Sequence, residues 1–192
     1  MDTFAIRNAN RSTRAALSPD QITDASLRVS AELWHQSYMS RCKRIAAYFA
    51  FDGEIDCNYI IDKAWQKSRQ VYLPVIQNGS LAFAQYRANS PLATNQFGIP
   101  EPVCSAKQLL KPSEMDIVLT PLVAFDDNGN RIGMGAGFYD RSFSFLRYRR
   151  RWAHPRLIGL AHEFQRTVKI KASSWDIPLH GAVTDVSSYL FA

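Results

Sequence analysis

The spacing of apolar residues along the chain changes several times, and each change marks an element. Ile22, Ala25, Val29 and Leu33 recur at helical intervals. Ser18-Pro19-Asp20-Gln21 ahead of them offers an N-cap, a proline at the first helical position and a glutamine able to close a capping box. The pattern therefore predicts a helix over Pro19–Gln36. Before it, a helix through Phe4–Leu17 places Arg7, Arg11 and Arg14 on one face. Arg44–Phe51 is a short apolar run ended by Asp52-Gly53, which predicts a buried strand and a turn, with Glu54 just beyond. Ile60, Ile61, Ala64 and Trp65 predict a helix over Asp56–Ser68. Val71–Ile76 predicts a strand, and the Asn78-Gly79 hairpin signal pairs it with another at Leu81–Arg87.

The second half continues the alternation. Ser90–Pro102, with three prolines and Phe97 as its large ring, predicts a surface loop. Asp116–Phe125 is the most strand-like run, ending near Thr120 because Pro121 cannot donate to a ladder. Asp126–Asn130 predicts a turn, and Phe138, Ser142, Phe145, Leu146 and Arg149 have the spacing of an amphipathic helix. Leu157–Ala161 and Gly181–Val186 predict further strands. Strands separated by helices imply an α/β fold: a mostly parallel, mixed sheet with helices on both faces. At about 150 residues per domain, the 192 residues predict a single domain.

Composition narrows the class without naming a function. With 46% hydrophobic and 21% charged residues, the chain has ordinary globular usage and is neither disordered nor fibrous. No apolar run approaches the length of a membrane span, and arginines occupy the stretch where a signal peptide needs its apolar centre. A cytoplasmic protein without a membrane partner is expected. Cys42, Cys57 and Cys104 are odd in number and widely spaced, as reduced thiols are. The net charge of +6 favours phosphates, polyanionic substrates or nucleic acid without choosing among them.

The segment Arg131-Ile-Gly133-Met-Gly135-Ala-Gly137-Phe138-Tyr139-Asp140 carries the most chemistry. Alternate glycines let the backbone approach a ligand and turn N–H groups toward an anion, and a predicted helix N-terminus follows. It matches neither the Walker pattern nor the dinucleotide pattern, since Phe138 stands at the third glycine position. A phosphate cradle aided by Arg131 and a flexible hairpin tip both remain open. Asp140 fits a dipole-complementing acid of the first turn or a magnesium ligand, for which Asp185 is a candidate second oxygen. Arg147, Arg149, Arg150, Arg151 and Arg156 form the densest basic cluster. A solvated helix end is its plainer reading, a steering site for an anionic substrate tail the bolder one.

Taken together, several segments resemble the 5-formyltetrahydrofolate cyclo-ligase family, also called methenyltetrahydrofolate synthetases. They are R-N-A-N-R-S-T-R-A-A-L-S, Y-F-A-F-D-G-E-I-D, Y-L-P-V-I, F-G-I-P-E-P and above all D-I-V-L-T-P-L-V-A-F-D-D-N-G-N-R-I-G-M-G-A-G-F-Y-D-R. The resemblance implies ATP- and magnesium-dependent cyclisation of 5-formyltetrahydrofolate to 5,10-methenyltetrahydrofolate. The formyl oxygen takes the γ-phosphoryl group before the neighbouring folate nitrogen closes the ring. It assigns Arg7, Arg11, Arg14, Arg131, Gly133, Met134, Gly135, Ala136, Gly137, Phe138 and Tyr139 to the nucleotide. Phe49, Glu54, Phe97 and Tyr139 go to the folate, which can be polyglutamylated. Asp140 and Asp185 go to magnesium, and Arg131 and Tyr139 to catalysis. Thr3 stands where the family often carries a lysine, leaving the triphosphate to the three arginines. A monomer is expected. The competing readings are an RNA-binding module, prompted by the basic balance and the R-Y-R-R-R-W run, and another phosphate-ligand enzyme on a related sheet.

Overall fold

A computed structural model describes residues 2–148 and 154–191. Helices α1 (Thr3–Ala15) and α2 (Pro19–His35) lead to strand β1 (Arg44–Ala46), α3 (Asn58–Gln66), β2 (Gln70–Gln77) and β3 (Ser80–Tyr86). A short ribbon of β4 (Leu92–Thr94) and β5 (Pro100–Pro102) follows, then β6 (Ile117–Pro121), β7 (Ala124–Asp126), β8 (Arg131–Ile132) and α4 (Phe138–Ser142). The chain ends with β9 (Arg156–Ala161), β10 (Arg166–Thr167), β11 (Gly181–Thr184) and β12 (Ser188–Leu190).

The capping box forms as predicted: the Gln21 N–H donates to Ser18 Oγ at 3.2 Å and the Ser18 N–H to Gln21 Oε1 at 2.8 Å, with Pro19 opening α2. Seven strands make the main sheet in the order β12-β11-β9-β6-β1-β2-β3. The inner pairs β11-β9, β9-β6, β6-β1 and β1-β2 are parallel and the edge pairs β2-β3 and β11-β12 antiparallel. One face packs on α2 and α3 through Val29, Leu33, Ile60, Ile61 and Ala64. The other packs on Phe125, Phe143, Ile177 and Leu179, from α4 and from the elements around a small sheet of order β10-β7-β8. Among the described residues no helix is long and apolar enough to cross a membrane.

Several expected boundaries move. The strand expected over Arg44–Phe51 keeps to the sheet only as far as Ala46, and the Ala47 N–H makes the last bond, 2.9 Å to Tyr72 O. On β2 the even-numbered residues face β1, so the missing N–H of Pro74 falls just past the point where β1 has left the ladder. The gap opened there is where a ligand fits. The run Asp116–Phe125 divides into β6 and β7, which belong to different sheets; Pro121 closes the first, as its missing donor requires. The loop at Ser90–Pro102 holds the β4–β5 ribbon, whose ladder bonds pass through Ile99 and Val103, so Pro100 and Pro102 need not donate.

The amphipathic helix expected from Phe138 is cut short. α4 has five residues and gives way to a 3-10 turn over Ser144–Tyr148. Two hydroxyl groups account for the break. Ser142 Oγ accepts the Leu81 N–H of the sheet edge at 2.7 Å, and Ser144 Oγ donates to the Arg141 carbonyl at 3.0 Å. Phe143 is thereby drawn under β3 against Phe83. The helix that was to carry an arginine cluster away from the glycine loop therefore does not exist as one rod.

Candidate active site

A cavity of about 950 Å³ opens at the carboxyl ends of β1 and β6, where ligands of open α/β sheets bind. Tyr48 and Phe49 enter it from the segment after β1, Leu73 and Pro74 from β2, and Leu122 from the segment after β6. Gly133–Asp140 form a second wall. Two groups of residues far apart in sequence, the Glu54 turn and the glycine loop, thus face one space.

The apolar wall is aromatic. Phe49 meets Tyr86 edge-on at 5.5 Å between ring centroids, and Phe97 meets Phe138 edge-on at 5.7 Å. Phe97 is carried on the β4–β5 ribbon, which Glu101 ties to β2: its Oε1 accepts the Ile76 N–H at 3.2 Å and Asn95 Nδ2 at 2.8 Å. Glu54 sets a carboxylate into this wall with only 9% of its surface exposed. Burial pushes its pKa up to about 7, against the opposing pull of Arg14 and of a 3.2 Å hydrogen bond donated by the Phe51 N–H. Burial also raises the Tyr139 hydroxyl, which keeps its proton and can serve as a donor.

The other wall fits an anion. Gly135 at φ +104° and Gly137 at φ +66° occupy conformations that side chains resist, and a Cβ placed at Gly133 or Gly135 would meet no protein atom within 4 Å. The positive φ is itself a reason for glycine at position 135; at position 133 neither packing nor backbone conformation requires it, whereas a ligand pressed against the backbone would. Arg7 reaches the loop from α1, its Nε donating to Gly133 O at 3.0 Å. Since α4 has only five residues, it adds little helix dipole to this wall, and the positive charge there comes from Arg7 and Arg131.

Arg131 and Asp140 pair at 2.7 Å, and both fasten Ile177: Arg131 donates to its carbonyl, and its N–H donates to Asp140 Oδ1 at 3.1 Å. Both hydrogen bonds to Asp140 use Oδ1, and the residue lines the cavity. Among the described residues no three carboxylate, histidine or cysteine groups gather as a metal cage. A single carboxylate in the cavity lining is compatible with magnesium, which typically keeps one or two protein carboxylates and completes its shell with phosphates and water. Asp185 does not join it. It lies outside the cavity lining at the end of β11, where its Oδ1 accepts the Glu163 N–H at 2.8 Å.

The arginine stripe of α1 also divides. Arg7 lines the cavity with Thr3; Arg11, the more exposed partner, pairs with Asp52 at 3.0 Å; Arg14 is 1% exposed beneath the Glu54 turn. Arg149, Arg150 and Arg151 lie outside the described residues, whereas Arg147 lines the cavity and donates to the carbonyl of Trp175. The sequence reading missed Trp175, Lys171 and Arg141, which also face the cavity. Trp175 is 64% exposed, an unusual placement for an indole. The only signal in the sequence was a large aromatic in a polar stretch that no helix or strand pattern claims.

A family model described as the 5-formyltetrahydrofolate cyclo-ligase family matches residues 2–185. The chain belongs to that family. It is 38% identical over 179 residues to the 5-formyltetrahydrofolate cyclo-ligase of Haemophilus influenzae, covering 91% of this chain and 92% of the relative. It is 35% identical to that of Escherichia coli K12, covering 91% and 95%. The NMR structure of Aquifex aeolicus 5,10-methenyltetrahydrofolate synthetase superposes with a TM-score of 0.84 at 26% identity, over 99% of this chain and 93% of that one. A Mycoplasma pneumoniae synthetase, at 22% identity and a TM-score of 0.74 over 96% and 99%, shares the fold. The chain is accordingly an enzyme, a ligase of folate one-carbon metabolism.

Proposed function

We propose that the protein closes 5-formyltetrahydrofolate to 5,10-methenyltetrahydrofolate at the expense of ATP, with magnesium, releasing ADP and phosphate. The observation that carries this reading is that one cavity has two chemically different walls. An aromatic wall holds a buried carboxylate, and a glycine loop with Arg7 and Arg131 faces it. A folate ring needs the first and a triphosphate the second, and a phosphoryl transfer between them needs both in one water-poor space.

When bound, the nucleotide and magnesium supply an electrophilic phosphoryl group whose charge is neutralised. The chain's own residues supply placement. Glu54 accepts hydrogen bonds from pterin N–H groups and so sets the orientation of the ring between Phe49 and Phe97. The loop N–H groups from Gly133 to Gly137 and the Arg7 guanidinium hold phosphate oxygens. Arg131, locked by Asp140 and Ile177, keeps the loop at the height where the two ligands meet, and the Tyr139 hydroxyl donates a hydrogen bond into the space between them.

Mixing the purified protein with ATP, magnesium and 5-formyltetrahydrofolate should produce methenyltetrahydrofolate absorbance with one phosphate released per ring closed. Absorbance change without phosphate release, or turnover that persists without nucleotide, would refute the reading.

A further inference from the structure

Arg14 stands apart from the other arginines of α1. It does not line the cavity, yet its guanidinium lies directly behind the folate wall. Nη1 is 3.6 Å from Glu54 Oε1 and donates to Leu122 O at 3.3 Å, and Nη2 donates to Asp52 Oδ2 at 3.1 Å. We propose that Arg14 is a positioning residue of the folate site, fixing the Asp52-Gly53-Glu54 turn so that the Glu54 carboxylate is aimed into the cavity. The proposal rests on the reading of Glu54 as the group that meets the pterin.

Three observations carry it. Stability alone does not favour a guanidinium here. The side chain is wholly buried and, among the described residues, its Nε–H has no hydrogen-bond partner, a cost that an apolar side chain of similar length would avoid. Next, both carboxylates it meets come from one three-residue turn, in which Asp52 sits at φ 55° and Gly53 at φ 72°. Aspartate and glycine adopt this left-handed pair readily, so the turn forms locally and presents both carboxylates to one guanidinium. The clamp is two-sided. On one side a Cβ at Gly53 would lie 2.9 Å from the Arg14 carbonyl oxygen; on the other, His162 Nε2–H donates to Gly53 O at 3.0 Å.

Finally, among the described residues the Glu54 side chain is held by one hydrogen bond, from the Phe51 N–H of its own turn, and by the 3.6 Å ion pair with Arg14, so loss of Arg14 leaves it the first alone. The groups that bear electrically on Glu54 are Arg14 and Asp52 from behind and Tyr48, Cys57 and Tyr139 from the neighbouring segments. Among the described residues Arg14 is the cation of this set, and it opposes the effect of burial together with the Phe51 N–H. It therefore supplies both the aim of the carboxylate and part of its charge.

The test is a double-mutant cycle of Arg14→Met and Glu54→Gln. Binding of 5-formyltetrahydrofolate and of a non-hydrolysable ATP analogue is measured by calorimetry, and the fold is checked by circular dichroism. Each single variant should weaken folate binding about tenfold or more. The double variant should lose no more than Glu54→Gln alone, and nucleotide affinity should hold within about twofold throughout. Full folate affinity in Arg14→Met overturns the inference. So does a double variant whose loss is the product of the two singles, or an equal loss of nucleotide affinity. Unchanged folate binding in Glu54→Gln instead removes the reading of Glu54 and the inference with it. Should Arg14→Met fail to fold, Arg14→Lys serves in the same cycle. It keeps a buried cation but cannot bridge two carboxylates and a carbonyl, so it should show an intermediate loss confined to folate.

Discussion

Replacing Glu54 by glutamine should make the protein more stable as well as less able to hold folate. The carboxyl pKa rises from its ordinary 4.5 to about 7 in the folded chain. A group so raised contributes its full stability below the unfolded value, where both states carry the proton. That contribution is lost as pH climbs from the unfolded to the folded value, because there the unfolded chain releases the proton that burial makes the native protein keep, and the loss is complete above the folded value. At about 1.36 kcal/mol per pH unit, the loss approaches about 3 kcal/mol above pH 8. Glutamine imitates the protonated acid at every pH and avoids it.

In a chain of this size 1 kcal/mol corresponds to roughly 2–4 °C. Glu54→Gln should therefore melt up to about 6–12 °C above the parent at pH 8.5 and close to it at pH 5. Scanning calorimetry of the two proteins across that range reads the difference directly. A variant that melts below the parent at pH 8.5, or an offset independent of pH, would show that the Arg14 pairing outweighs burial. Folate affinity in the same variant should fall roughly ten- to a hundredfold, the usual exchange of stability for function at a binding carboxylate.

Gly135→Val places a branched side chain at φ +104° in the open cradle; nucleotide affinity should fall more than about tenfold, and unchanged affinity would refute the cradle. Asp140→Asn weakens the partner that holds Arg131 at 2.7 Å and removes the carboxylate proposed for magnesium, so turnover should drop about ten- to a hundredfold. Parental turnover at limiting magnesium would leave Asp140 a fastening for Arg131 alone. Gly53→Ala drives a Cβ to 2.9 Å from the Arg14 carbonyl at a positive φ. It should cost about 1–3 kcal/mol and weaken folate binding, and a variant with parental melting and affinity would contradict the clamped turn.

Local chemistry made much of this architecture legible. The capping box at Ser18, the hairpin at Asn78-Gly79 and the strand end at Pro121 are all decided within a few residues, and all appear where the sequence puts them. The meeting of Glu54 with the glycine loop was only half legible: Glu54 follows β1 of the main sheet, whereas the loop follows β8 of the small one, and nothing local records how the two sheets sit together. What escaped was decided by distant partners. α4 ends early because Ser142 is claimed by the β3 edge, and nothing in the spacing of Phe138 to Arg149 records that. Arg14 looked like one of three equivalent surface cations until the Glu54 turn was folded over it. Asp185 shares the residue type of a magnesium ligand but lies outside the cavity lining, a placement that residue type alone does not reveal.

Helix α1 buries only Ile6 and Arg14, and it is joined to the body chiefly by polar contacts: Arg7 to Gly133 O, Asn10 Nδ2 to Val123 O at 2.9 Å, and Arg14 to the Glu54 turn. Its detachment exposes little apolar surface, which sets its amides among the less protected ones in hydrogen exchange. Arg7 nevertheless lines the cavity and holds the Gly133 carbonyl from this helix. Anything that fills the cavity against Arg7 should therefore slow exchange along α1, and this lightly seated helix becomes a reporter of occupancy.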